Sequence, residues 1–182
     1  MDIGTVAVTC ATGAFGAAVC NLFETDRWQV LASDSSELPQ GYENADVLVI
    51  ARDDSKCPDW LTCSPGDWRS FRATGLDSAF MAVQAYANAR LLVGEPGSIV
   101  LVTSDSSHAE DGSDALDSAV SWGIRGLVRN ASAAYARKGV RVNGICADGA
   151  GADDIASLAA FLAQGEHITG QTIPVAGGRA LL

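Results

Sequence analysis

One stretch restricts the possible folds more than any other: DSAVSWGIRGLVRNASAAYARKGVRVNGICAD, from Asp117 to Asp148. Val120, Ile124, Leu127, Val128, Ala131 and Tyr135 recur at i, i+4, i+7, i+8, i+11 and i+15, the spacing of one helix face. Gly139 then stops the helix, and a short apolar strand runs from Arg141 to Cys146. A helix feeding straight into a buried strand is the repeating unit of layered α/β folds.

The rest of the chain follows the same alternation. Thr5 to Thr9 reads as a buried strand, CATGAFG as a turn and about Phe15 to Phe23 as a helix; Gln29 to Ser33 and DVLVIAR read as further strands. Lys56 to Gly66, with Pro58, Pro65 and Gly66, reads as loop. A long helix is expected over about Asp67 to Val93, with Leu76, Phe80, Val83, Ala87 and Leu91 on one face and Ala82, Ala85, Ala89 and Leu92 on another. A helix apolar most of the way round is buried on two sides. Ser98 to Thr103 and Gln171 to Val175 read as strands. Between them DDIASLAAFLAQ reads as a helix capped by Asp153 or Asp154, with Ile155, Leu158, Ala159 and Leu162 inward. The expectation is one α/β domain over 1–182, a Rossmann-like doubly wound parallel sheet of about six strands with helices on both faces.

Charge and composition exclude several functions. The formal net charge is -10, and the 12 Lys and Arg are scattered along the sequence, so no nucleic-acid partner is expected. MDIGTVAV has no basic leader, and no apolar run approaches the roughly 20 residues of a membrane span, so the expected location is cytoplasmic. Five cysteines show no ligand-like pairing; reduced core thiols at Cys20 and Cys146 and no metal site are expected. His167, beside a turn, reads as a surface histidine.

GLVRNASAAYARKGVRVNGI closely resembles the sixth helix and strand of the short-chain dehydrogenase/reductase family. TCATGAFG resembles its TGxxGxxG turn, DVLVIAR its DVLVNNAG, DWRSFRATGLDSAFMAVQA its W-x-x-x-x-x-V-N-x-x-G-x-F, and HITGQTIPVAGG its closing Y-x-T-G-Q-x-I-x-V-D-G-G. Independent segments therefore match in order over almost the whole chain. The resemblance implies a dehydrogenase fold, and it locates where the machinery should be. Counting back from Gly126, the catalytic tyrosine and lysine positions fall on Asp117 and Ser121, and the relay asparagine falls on Gly75. The substrate-holding serine remains as Ser104, thirteen residues before Asp117. A carboxylate has no phenolic proton to give, and Ser121 has no charge with which to tune a neighbour.

The cofactor positions are equally mixed. Gly13 and Gly16 of the turn are in place, Cys10 stands where the first glycine belongs and is expected to compromise the turn, and Asp34 stands where an acid would hold the NAD ribose. The two helices and strand that carry the family's adenine wall are missing. The twelve residues from Asp34 to Ala45 span roughly 40 to 43 Å if extended, enough to cross the first strand to its other edge. Ile50, Ala51, Arg52 and Asp53 replace the NNAG turn; Arg52 is read as either a phosphate clamp or a solvated loop arginine beside Asp53 and Asp54. The substrate lid is also absent, and Asp148 replaces a glycine near the place of the nicotinamide.

This pattern implies a pseudoenzyme: a chain that binds no NAD and keeps only the assembly surfaces of its family. The partner expected is a catalytic, NAD-binding paralogue of the same family, met through helices 67–93 and 118–138 and strand 171–175, as in heterotetrameric dehydrogenases of CoA-ester oxidation. The alternative is new chemistry in the old cleft, a dehydratase, isomerase or hydrolase using Asp117 with Ser104 or His108. No nucleophile-elbow glycines flank Ser104.

Overall fold

The computed structural model describes residues 3–51, 57–104 and 115–178. Its centre is a parallel sheet of β1 (Thr5–Thr9), β2 (Gln29–Ala32), β3 (Val47–Ile50), β4 (Gly97–Ser104), β5 (Val140–Ala147) and β6 (Thr172–Val175), in the order β2-β1-β3-β4-β5-β6. Strands buried on both faces have no polar alternation, and β3 and β4 are buried at every position. β2 and β6 lie at the edges and are partly exposed.

Successive residues face opposite layers. Val6, Val8, Val47, Val49, Val100 and Val102 pack with α1 (Ala14–Thr25) and α5 (Ala152–Gln164). Ala7, Leu48, Ile50, Ile99, Leu101 and Val142 pack with α3 (Ser78–Val93) and α4 (Ala115–Tyr135). The segment after β2 crosses β1 and enters the sheet as β3, as its length allowed. Its Leu38 and Tyr42 pack beside Leu31 on the core of the α3–α4 layer, at the sheet edge.

Several boundaries differ from the sequence reading. The helix expected over 67–93 is continuous from Pro65 to Val93 but carries a π-helical segment, Ala73–Asp77, between α2 (Pro65–Arg72) and α3. Ser64 caps α2 through a capping box in which Asp67 is the third residue, so the start lies ahead of the position that hydrophobic spacing marks. The core face of α3 is Ala79, Ala82, Val83, Tyr86, Ala87 and Arg90, whereas Phe80 is 49% and Leu92 88% exposed. Tyr86 and Arg90 belong inward because their polar ends find acceptors: the Tyr86 hydroxyl donates to the buried Ala45 carbonyl and Arg90 Nε to the carbonyl of Pro96. Burial pushes the Tyr86 hydroxyl well above the usual tyrosine range. α4 begins at Ala115 and passes through a 3-10 turn, Ala136–Lys138, before Gly139 ends it at φ 87°. The α5 cap is Gly151, without a side-chain bond; Asp153 and Asp154 lie in the first turn instead. There they face the positive end of the helix dipole.

Candidate functional site

β4 and α4 bring Ser104, Asp117 and Ser121 together, three positions that the family resemblance had placed at the catalytic centre. All three are buried, with Thr103 beside them. Ser104 Oγ donates to Asp117 Oδ2, so its one proton is committed. Ser121 Oγ, 2.8 Å away, must then donate to Ser104, and Thr103 Oγ1 donates to Ser121 at 3.0 Å. The result is a one-way hydroxyl chain, Thr103 to Ser121 to Ser104, ending on the Asp117 carboxylate. Such chains strengthen each member and fasten the start of α4 to the end of β4.

The cavity beside this chain is small, about 50 Å³, with Ile50, Phe71, Thr74, Gly75 and Val120 among its walls. That is room for a few waters, against the ~300–1,000 Å³ of an ordinary ligand cleft. Gly75 helps to close it. A Cβ there would lie 2.9 Å from Val120 Cγ1, so the π-turn rests on α4 where the family pattern has an asparagine. An asparagine at this position would have to displace Val120.

At the other end of the cleft the glycine turn is built with Cys10 as a strained member. Cys10 takes the left-handed conformation that a glycine would take, φ 50°, and the Gly13 amide bonds back to its carbonyl at 3.1 Å. Gly16 is required by contact: its Cβ would sit 2.2 Å from the Cys10 oxygen. Gly13 caps α1 with extended backbone and no side-chain bond. The Cys10 and Ala11 amides donate to the Ser35 and Ser33 carbonyls, both at 2.8 Å, so the segment carrying exposed Asp34 is strapped to the turn. The buried Thr9 hydroxyl has no partner among the described residues, and the residue opposite it in β3 is Ile50.

Arg125 escaped the sequence reading. It leaves α4 with Nη2 2.7 Å from Cys146 Sγ on β5, its guanidinium lies 4.6 Å from the Trp122 ring centroid, and the Cys146 thiol donates to the Ser104 carbonyl. A charged residue adjoining the apolar stripe at 124 was the available signal. Cys20 is half-buried, and burial, with Glu24 nearby, raises its thiol pKa. His167 is exposed, as expected. Arg52, Asp53, Asp54 and His108 lie outside the described residues. Among the described residues no group of three His, Cys, Asp or Glu is placed to hold a metal, and no helix is long and apolar enough to cross a membrane.

Residues 18–151 match the family model described as enoyl-(acyl carrier protein) reductase. The chain belongs to the short-chain dehydrogenase/reductase family. A tropinone reductase homolog of Arabidopsis thaliana is 27% identical over 188 aligned residues, covering 88% of this chain and 69% of the relative. Among solved structures, acetoin dehydrogenase YohF from Salmonella typhimurium superposes with a TM-score of 0.83 at 21% identity, covering 98% of each chain. The TT0495 protein of Thermus thermophilus gives a TM-score of 0.83 at 22% identity over 100% of both. At such identities the superpositions establish the dehydrogenase fold and leave the chemistry to the residues of the site.

Proposed function

We propose that this chain is a non-catalytic subunit of a cytoplasmic short-chain dehydrogenase complex, assembling with an active NAD-dependent paralogue that oxidises a hydroxyacyl-CoA-type substrate. The observation that carries the reading is the Ser104–Asp117 bond. Where the family places a phenol beside a lysine, this chain has a carboxylate that already holds the substrate-binding serine, next to a cavity of about 50 Å³. The residues present do not fit a dinucleotide well. The Ser33 and Ser35 carbonyls take the Ala11 and Cys10 amides of the glycine turn, Ile50 stands opposite Thr9 where the family resemblance has a polar residue, and the cavity beside Ser104 is about 50 Å³ among the described residues. NAD accordingly belongs to the partner. Phe80 and Trp122, exposed on α3 and α4, supply the apolar surface that assembly needs. The arrangement resembles heterotetramers such as the 2-[hydroxy(phenyl)methyl]-succinyl-CoA dehydrogenase.

One observation favours a second reading. The hydroxyl chain points its protons toward Asp117, as a base-activated serine would, so a hydrolase or dehydratase using Asp117 and Ser104 is the alternative. Asp117→Asn separates the two. In the subunit reading the complex with its dehydrogenase keeps its turnover within about twofold and still assembles. A loss of about a hundredfold or more, the scale of a missing general base, would overturn it in favour of the repurposed cleft.

A further inference from the structure

β2 ends the sheet because of the shortened connection that follows it. In the doubly wound order a third strand lies outside the second. Here the segment after β2 crosses β1 and becomes β3, so no strand pairs with the outer side of β2. The hydrogen bonds show which groups are left there. The Gln29 amide donates to the Gly4 carbonyl and the Ser33 amide to the Val8 carbonyl, both at 2.9 Å, so alternation turns Gln29, Leu31 and Ser33 toward β1. Val30 and Ala32 therefore turn their amides and carbonyls outward, where they meet no backbone partner among the described residues. The segment after β2 covers a face of the strand and gives its edge no such bond: Leu38 and Tyr42 pack beside Leu31, and a Cβ on Gly41 would lie 3.5 Å from Leu31 Cδ1.

Open strand edges recruit extended chain, and proteins protect them with lysine, proline, a bulge or a covering loop. Apart from its length of four residues, β2 has none of these. QVLA carries no charge and no proline, stays in regular register with β1, and leaves Ala32 exposed. The surroundings say what kind of chain fits. Exposed Glu24, Asp26, Asp34 and Glu37 flank the strand against Arg27 alone, and α1, which packs on β2, contains no lysine or arginine. A second copy would set these carboxylates against themselves, each chain carrying a formal net charge of -10. A segment with lysine or arginine at its ends is complementary.

We propose that the outer edge of β2 docks an extended segment of another protein, flanked by lysine or arginine, which joins the sheet as a further strand through the Val30 and Ala32 backbone groups. This goes beyond the heteromeric reading and stands without it. The test uses the full-length chain and two synthetic probes, acetyl-KKVTVTVKK-amide and acetyl-EEVTVTVEE-amide, in NMR titration and amide exchange at about 50 mM NaCl. The lysine peptide is expected to bind with a Kd below about 1 mM and to slow exchange about tenfold or more at Val30 and Ala32, with Leu31 unchanged. The glutamate peptide should bind about tenfold more weakly. Ala32→Pro removes an outward donor and leaves the β1 ladder intact, so it should weaken the lysine peptide about tenfold at unchanged Tm. Asp34→Asn combined with Glu37→Gln should weaken it about threefold, and serves should the proline variant not fold. No protection of Val30 and Ala32 at about 1 mM lysine peptide, or equal affinity for the two peptides, overturns the proposal. Protection that rises with the concentration of the chain alone gives the edge to a second copy and overturns the basic occupant.

Discussion

Thr9 is buried at the end of β1 with a hydroxyl that finds no partner among the described residues, because the position opposite it in β3 is Ile50. An unsatisfied buried hydroxyl costs about 1–3 kcal/mol, and a side chain of similar shape without the oxygen avoids that cost. Thr9→Val is therefore expected to raise stability by about 1 kcal/mol, read as a higher urea midpoint at unchanged m; a lower midpoint would mean that the hydroxyl has a partner after all. Cys10, next in sequence, holds a left-handed backbone that costs a non-glycine residue about 1–2 kcal/mol. Two neighbouring residues thus carry small local penalties at the glycine turn. Both departures were legible in the sequence, as a cysteine in place of a glycine and an isoleucine in place of an asparagine. Their outcome was not: whether the turn would break or strain depended on Gly16 and the Ser33–Ser35 strap closing around it.

At the scale of elements, α2 is set by its first turn. Side-chain and backbone hydrogen bonds from Ser64 hold the Asp67 carboxyl below its usual pKa. A carboxyl whose folded pKa is depressed adds stability above its unfolded value, near pH 4, and that stability is lost as pH falls through the folded value. The order of α2 should hold from about pH 7 to 5 and decline below about pH 4. Ser64→Ala should flatten that decline in amide-exchange measurements; an unchanged profile would remove the capping box from the account. The C-terminal end of α5 is fastened differently. Arg141 on β5 donates to the Leu162, Ala163 and Ile168 carbonyls. Burial draws its pKa down, partly offset by Glu166. Arg141→Met would leave these acceptors without their charged donor, and a loss of about 2–3 kcal/mol in chemical unfolding is expected. Periodicity located both helices and misplaced their caps, because a cap is set by one or two polar bonds that hydrophobic spacing does not record.

The whole molecule is a dehydrogenase sheet in the order β2-β1-β3-β4-β5-β6, with a cavity of about 50 Å³ beside Ser104 and Asp117. A ligand present at about 100 times its Kd stabilises a protein by about 2.7 kcal/mol. If no dinucleotide binds, NAD at about 1 mM should leave the Tm of the isolated chain unchanged within experimental scatter, and a rise of several degrees would return NAD to this subunit. The same scale reveals the charge pattern. The basic residues look scattered along the sequence, yet seven of them, the buried Arg90 included, lie on α2, α3, α4 and the 3-10 turn, the layer that exposes Phe80, Met81 and Trp122.

The sequence by itself determined the strands and the helices, because strands buried on both faces and helix stripes are local patterns with a fixed period; the crossing of β1 after β2 and the coincidence of Ser104, Asp117 and Ser121 followed from the resemblance of ordered segments to the dehydrogenase family. Tertiary structure alone decided three things: that Ser104 gives its proton to Asp117, that Gly75 and Val120 close the cleft, and that Gly126 faces an open groove while Gly123 is filled. Each depends on the separation of atoms on different elements, a distance set by packing that no spacing along one strand or helix contains.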